Sequence, residues 1–243
     1  MKILIIGASN NLGQKLIEYF SPRNKTLGTF YSSSINSFTY KNIVHLDIER
    51  YQITEKFILE FKPDVVIYLS QFKAKQPDQV VINKEYNINC NALKNVASIC
   101  STLNVKIIYL STDHVLNTQT NIFQDESNMP KPINSFASSK LDAENFLKEH
   151  IPNHIILRSP YIYGHTLNRK EHDFFGSVLN SIIHKTELKV DNIIKRQFTL
   201  SDDFEQINKV ILIQTGYGVN YIENKIIKNL NQEDGLSITN YHR

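Results

Sequence analysis

Cysteine is nearly absent: Cys90 and Cys100 are the only two. A helix through both puts them on different faces, so they are poor disulfide partners and read as core thiols of a reducing cytosol. No CxxC pair and no Cys/His cluster offers a metal ion its ligands. Basic runs are missing as well. Lysine and arginine are scattered, the formal net charge is +3, and neither feature makes the footprint of a nucleic-acid binder. The one small basic pair, Lys195-Arg196, suits a phosphate-bearing small molecule or a solvated surface. Long apolar runs are also lacking. The N-terminal MKILIIGAS ends its run at a glycine, too short for a signal peptide or a membrane span, and no later stretch reaches spanning length. These absences point to a cytoplasmic protein without a metal, a nucleic-acid partner or a membrane partner.

What is present is a pattern of strands and helices. The 243 residues, 41% apolar and 21% charged, suffice for one large domain or two small ones. Ile3–Ile6 is a short β-branched run, as in a strand buried on both faces. GASNNLG follows, and then Leu12, Leu16, Ile17 and Phe20 at helical spacing. Strand, glycine turn and helix open a nucleotide-binding βαβ unit. Gly7 permits the tight turn, Gly13 permits close packing of helix on strand, and the amides at the helix start face a pyrophosphate. Asn10 stands where a left-handed conformation is expected, which a short polar residue tolerates.

Thr26–Tyr31 reads as the second strand, ending in Ser32-Ser33-Ser34. An NAD-selective site usually places an acid there to hold the ribose hydroxyl. Serines instead suit a 2′-phosphate, so NADP(H) is expected over NAD(H). Asn42–Leu46 is a short strand leading into Asp47-Ile48. Helix is expected over Tyr51–Phe61, strand over Val65–Leu69, and a polar loop over Ser70–Asn83. A long helix over Glu85–Leu103 carries Ile88, Ala92, Val96 and Ile99 on one face. Lys106–Leu110 is a strand, 117–132 a loop, Phe136–His150 a helix with Leu141, Asn145 and Lys148 at turn spacing, and His154–Arg158 a strand. The strands lack in/out alternation, which means a parallel sheet covered on both faces. From Leu167 the pattern turns irregular, with a helix over Phe174–His184, short segments around 189–190, 197–200 and 202–215, and a loose polar tail from Asn231. The reading is an α/β, Rossmann-type doubly wound parallel sheet over residues 1–160, with a small, shortened substrate-side region over 161–243 packed on it.

Several motifs occur together in a familiar order. GASNNLG resembles a GxxGxxG turn with Asn10 replacing the middle glycine. PDVVIYLS, NINC with its Asn89, STDHV at 111–115, KPINSFASSKLDAE, LRSPYIYG and KRQFTLSDD at 195–203 follow. Together they resemble the extended short-chain dehydrogenase/reductases, most closely the dTDP-4-dehydrorhamnose reductase-like branch of nucleotide-sugar reductases and epimerases. The resemblance covers roughly residues 1–215 and implies hydride exchange between a nicotinamide cofactor and the keto group of a 4-keto-6-deoxy sugar nucleotide. It implies cofactor contacts from Gly7, Ser9, Asn10, Asn11, Leu12, Gly13, Ser32, Ser33, Asp47, Ile48, Leu69, Ser70, Lys140 and Ser159. It implies substrate contacts from Asp113, His114 and Arg196, and catalysis by Thr112, Lys140 and a tyrosine at position 136. A homodimer is compatible with it.

Position 136 is phenylalanine, Ala137 replaces the family's next glycine, and the chain stops early for this branch. The tyrosine would exchange a proton with the substrate oxygen, its pKa lowered by the lysine ammonium. Residues four apart on a helix share a face, so 136 and 140 point together. Phe136 fills the shape without a proton to give, while Lys140 can still hold the nicotinamide ribose. Three readings stay open: an oxidoreductase whose proton comes from Thr112, His114, Tyr161, Tyr163 or a water held by Lys140; a non-catalytic cofactor binder acting on a partner enzyme; or a Tyr-to-Phe variant of an active reductase or epimerase.

Overall fold

The computed structural model describes residues 1–31, 42–73, 78–116 and 128–159, and the backbone of three short strands at 161–163, 198–200 and 219–221. In chain order the elements are β1 (Lys2–Ile6), α1 (Asn11–Phe20), β2 (Lys25–Phe30), β3 (Ile43–His45), α2 (Tyr51–Phe61), β4 (Val65–Tyr68), α3 (Gln79–Tyr86), a π-helical turn (Asn87–Asn91), α4 (Ala92–Thr102), β5 (Lys106–Thr112), a 3₁₀ turn (Asp113–Val115), α5 (Ser135–His150), β6 (His154–Ser159), β7 (Tyr161–Tyr163), β8 (Phe198–Leu200) and β9 (Val219–Tyr221). Seven strands form one sheet in the order β3-β2-β1-β4-β5-β6-β9, with every pairing parallel. β7 and β8 pair separately, also in parallel.

The continuous apolar strands follow from two covered faces. Leu4 and Ile6 of β1 join a core with Ile58 of α2, Leu93, Val96 and Ala97 of α4 and Ala143 and Leu147 of α5. Ile3 and Ile5 point the other way, into a second core with Leu12, Leu16, Ile17 and Phe20 of α1. Successive strand residues thus enter different cores and none needs to be polar. Both cysteines are free and buried, as core thiols should be.

One expectation changes, and two features add to the sequence reading. The segment after β4 is not a loop as far as Asn83, because Asp78 caps a helix from Gln79, its side chain accepting the Val81 amide at 2.8 Å. Helix then runs on into α4 through the π turn. The expected face of Ile88, Ala92, Val96 and Ile99 is buried. Within the wider turn the Ile88 carbonyl accepts the Tyr68 hydroxyl at 3.0 Å, which satisfies both groups out of water. The inward face of α5 carries Phe136, Ala137, Ser139, Lys140, Ala143, Glu144 and Leu147, with 136 and 140 on one side as their spacing implies, and Leu141, Asn145 and Lys148 lie off it. Apolar periodicity misses it because two of its members, Lys140 and Glu144, are charged. β9, from residues 219–221, is a further strand that no apolar run announced. The segments expected around 174–184, 189–190 and 202–215, and the tail from Asn231, lie outside the described residues.

Candidate active site

The strand order reverses between β1 and β4, and in such sheets ligands bind beyond the carboxyl ends of those strands. The chain leaves β1 there through Gly7, at φ +86. A Cβ on Gly7 would lie 2.5 Å from the Ser70 amide nitrogen beyond β4, and one on Gly13 would lie 2.4 Å from the Ala8 Cα. Both positions therefore need glycine, the first for conformation and close approach, the second so that α1 can seat against the turn. Asn10 differs from expectation. Its φ is −80 and ψ 168, extended rather than left-handed, and its side-chain oxygen accepts the Gly13 amide at 2.7 Å. It is the N-cap of α1. The amides of Asn11 and Leu12 keep no acceptor within the helix, and the Asn11 Oδ1 is buried without a hydrogen bond.

These features fit a diphosphate: a glycine turn, a helix start with two outward amides, and no side chain in the way at Gly7. Ser9 is half-buried in the same turn, and Ser70 borders it. Leu69 and Ile48 pack into the cores. Asp47 accepts the Glu49 amide at 3.1 Å and pairs with Arg50 at 3.4 Å. Ser159 is buried at the end of β6. Ser32, Ser33 and Arg196 lie outside the described residues, as do the side chains of Tyr161 and Tyr163.

At the neighbouring strand end, β5 delivers Thr112, and α5 delivers Phe136 and Lys140. Asn134 starts α5 by capping the Ala137 amide at 2.8 Å. Phe136 is 6% exposed and Lys140 1%. The Lys140 ammonium donates to the Leu110 carbonyl at 3.0 Å and lies 4.8 Å from the Tyr109 ring centroid and 5.9 Å from that of Phe136. Burial lowers its pKa to about 7, against the opposing pull of Glu144. Thr112 donates its hydroxyl to Asp113 at 3.1 Å and accepts the His114 amide at 3.2 Å. His114 meets the Phe136 ring edge-on, centroids 6.2 Å apart. The structure therefore gathers Thr112, Asp113, His114, Phe136 and Lys140 at one strand end. Among the described residues, Tyr109 is a further phenol beside Lys140; it is fully buried, and desolvation pushes its pKa well above the usual range.

Two groups went unseen in the sequence as parts of the site. Lys73, in the loop after β4, holds its ammonium 5.5 Å from the Phe136 centroid. Its one sequence signal was its place after a parallel strand. Beneath the site, Glu144 accepts Ser111 at 2.6 Å and a fork from Arg158 at 3.0 and 2.7 Å. This ties α5 to β5 and β6; the glutamate closing KLDAE was its signal. Asn89 bonds the Phe72 amide and carbonyl, each at 2.8 Å, and Ser139 at 3.1 Å.

Among curated relatives, "Methionine adenosyltransferase 2 subunit beta" of Xenopus tropicalis is 27% identical over 166 residues, 67% of this chain and 47% of its own length. The dTDP-4-dehydrorhamnose reductase of Shigella flexneri is 23% identical over 192 residues, 79% of this chain and 60% of its own. The chain spans about half the length of the first of these and under two thirds of the second. The solved dTDP-4-dehydrorhamnose reductase of Bacillus anthracis, in complex with NADP, shares the fold at a TM-score of 0.73 and 22% identity, over 90% of this chain and 73% of that one. The family model described as RmlD substrate binding domain matches residues 1–210, and the chain belongs to that family, within the dTDP-4-dehydrorhamnose reductase-like extended short-chain dehydrogenase/reductases.

Proposed function

We propose that the chain binds a nicotinamide dinucleotide and works on the keto group of a nucleotide-linked sugar, with 4-keto-6-deoxy sugar nucleotides the first substrates to try. The observation that carries this reading is the joint placement of the Gly7–Gly13 turn after β1 and of Thr112 at the end of β5, with Lys140 of α5 beside it, at the carboxyl ends of parallel strands separated only by β4. The turn and the amides of Asn11 and Leu12 would hold the diphosphate, and Lys140 the nicotinamide ribose. The dinucleotide, when bound, supplies or accepts the hydride. The protein's own residues orient the sugar and manage the proton. Thr112 hydrogen-bonds the substrate oxygen after turning from Asp113. Phe136 keeps an aromatic ring at the position where this family uses a phenol, so the proton step is what the site lacks.

That lack also favours a second reading. A chain with an intact turn and no aromatic acid suits a cofactor-binding partner of another enzyme, and the relative named as a subunit supports it. Phe136→Tyr separates the two. Position 136 already accommodates an aromatic ring, and Lys140 is beside it to lower the phenol's pKa. General acid catalysis is worth about 10²–10⁴-fold, so turnover of keto-sugar nucleotides should rise by that order, with cofactor affinity nearly unchanged. A folded, cofactor-binding Phe136→Tyr with no gain on a panel of keto sugars would favour the partner reading. Normal turnover by the unsubstituted chain would mean that another donor, such as His114, does the work.

A further inference from the structure

Lys140 and Glu144, one helical turn apart on α5, grip consecutive residues of β5. The Lys140 ammonium donates to the Leu110 carbonyl at 3.0 Å, and the Ser111 hydroxyl donates to the Glu144 carboxylate at 2.6 Å. We propose that Glu144, fastened by Arg158, is a positioning residue that holds the Lys140 amine and the end of β5 where the dinucleotide needs them; this rests on the dinucleotide reading of the site. Three observations converge. First, the carboxylate is fully engaged. Arg158 of β6 forks onto it at 3.0 and 2.7 Å, and Lys148, exposed one turn further along α5, reaches it at 3.4 Å. Second, each group it ties is next to a residue of the site. Ser111 precedes Thr112, Arg158 precedes Ser159, and Glu144 shares the helix face of Lys140.

Third, stability alone does not call for this cluster. Lys140, Glu144 and Arg158 are all buried, and the Arg158 Nη1 is buried without a hydrogen-bond partner, which costs free energy. Apolar side chains in place of a buried ion pair are often as stable or more so. They could not hold a β5 hydroxyl or favour the charge on a neighbouring amine. Burial lowers the Lys140 pKa to about 7, and Glu144 opposes that, so the carboxylate preserves part of the ammonium that would bind the ribose. Among the described residues, the other titratable groups packed on this part of the site are Tyr109 of β5, kept neutral by burial, Lys73 and His114 at the Phe136 ring, and Asp113 at Thr112.

The test is titration calorimetry of NADPH and NADH into the full chain, into Glu144→Gln, and into Glu144→Met with Arg158→Met. It is run at pH values on both sides of the Lys140 pKa, with urea unfolding of each protein alongside. In the unsubstituted chain, affinity should fall as pH rises through about 7, where the amine loses its charge. In Glu144→Gln that fall should move to lower pH; Lys73, His114 and Asp113 titrate in both chains and cancel in the comparison. In the double variant, where no charge is left unpaired, stability should return while affinity stays roughly tenfold down. Affinity that returns together with stability in the double variant overturns the proposal, because the cluster would then be structural only. So does a pH profile that Glu144→Gln leaves unchanged. If Glu144→Gln does not fold, the double variant decides. If neither dinucleotide binds the unsubstituted chain, the dinucleotide reading itself fails, and the role of Glu144 falls with it.

Discussion

Lys140 is a buried amine with few partners to hold its charge. Its amine sits between two aromatic rings, with one carbonyl as acceptor. Burial holds its pKa near 7, below the usual 10.5. The unfolded chain therefore binds more protons than the folded one between those values, and the Lys140 contribution to stability rises with pH across that window. Below pH 7 both states carry the charge, and its burial weighs against folding in full. Urea unfolding from pH 6 to 10.5 should show that rise in the unsubstituted chain and a flatter profile in Lys140→Met, the difference between the two curves isolating this one group. Parallel curves would mean that the amine is hydrated and close to its ordinary pKa. The same residue marks a limit of reading from sequence. Lys140, Thr112 and position 136 could be named from the resemblance to the family's motifs, but Thr112 turning to Asp113 and Lys140 reaching Leu110 depend on backbone positions that no motif encodes.

Among the elements, α5 was found easily, and the shared face of 136 and 140 was legible from their spacing. The rest of its inward face was not, because apolar periodicity does not point to charged members. That inward face carries Glu144, 0% exposed, made tolerable by Arg158 arriving from β6, Ser111 from β5 and Lys148 one turn on in α5. Such a cluster is a long-range fact, invisible to a helical wheel. The parallel strands were legible because burial on two sides leaves an unmistakable apolar run, whereas the three residues of β9 are too few to make one. Removing one partner of a buried ion pair costs about 3–5 kcal/mol, because the other charge stays buried alone, while replacing both with apolar groups is often near neutral. Glu144→Gln should therefore lose stability of that order in urea unfolding, and Glu144→Met with Arg158→Met should recover most of it. Additive losses in that double-mutant cycle would show the pair to be uncoupled.

For the molecule as a whole, the strand order reverses between β1 and β4, where such sheets bind ligands, and a ligand that binds only the folded state raises its melting temperature. At a hundred times its dissociation constant a ligand adds about 2.7 kcal/mol, which for a chain of this size is roughly 5–10 °C. NADPH should give that shift at lower concentration than NADH, since no acid follows β2 in the sequence; the reverse order, or no shift with either, would count against the cofactor assignment. The sheet also constrains how the chain is made. β6 ends at Ser159, but its outer neighbour β9 begins only at Val219. While residues 160–218 are being synthesised, β6 is the open edge of a nearly finished parallel sheet, with no strand yet in existence to cover it. Closing so long an excursion is slow compared with pairing local strands. The growing polypeptide therefore passes through a period of self-association hazard at that edge, which ends only when its last described strand emerges and docks.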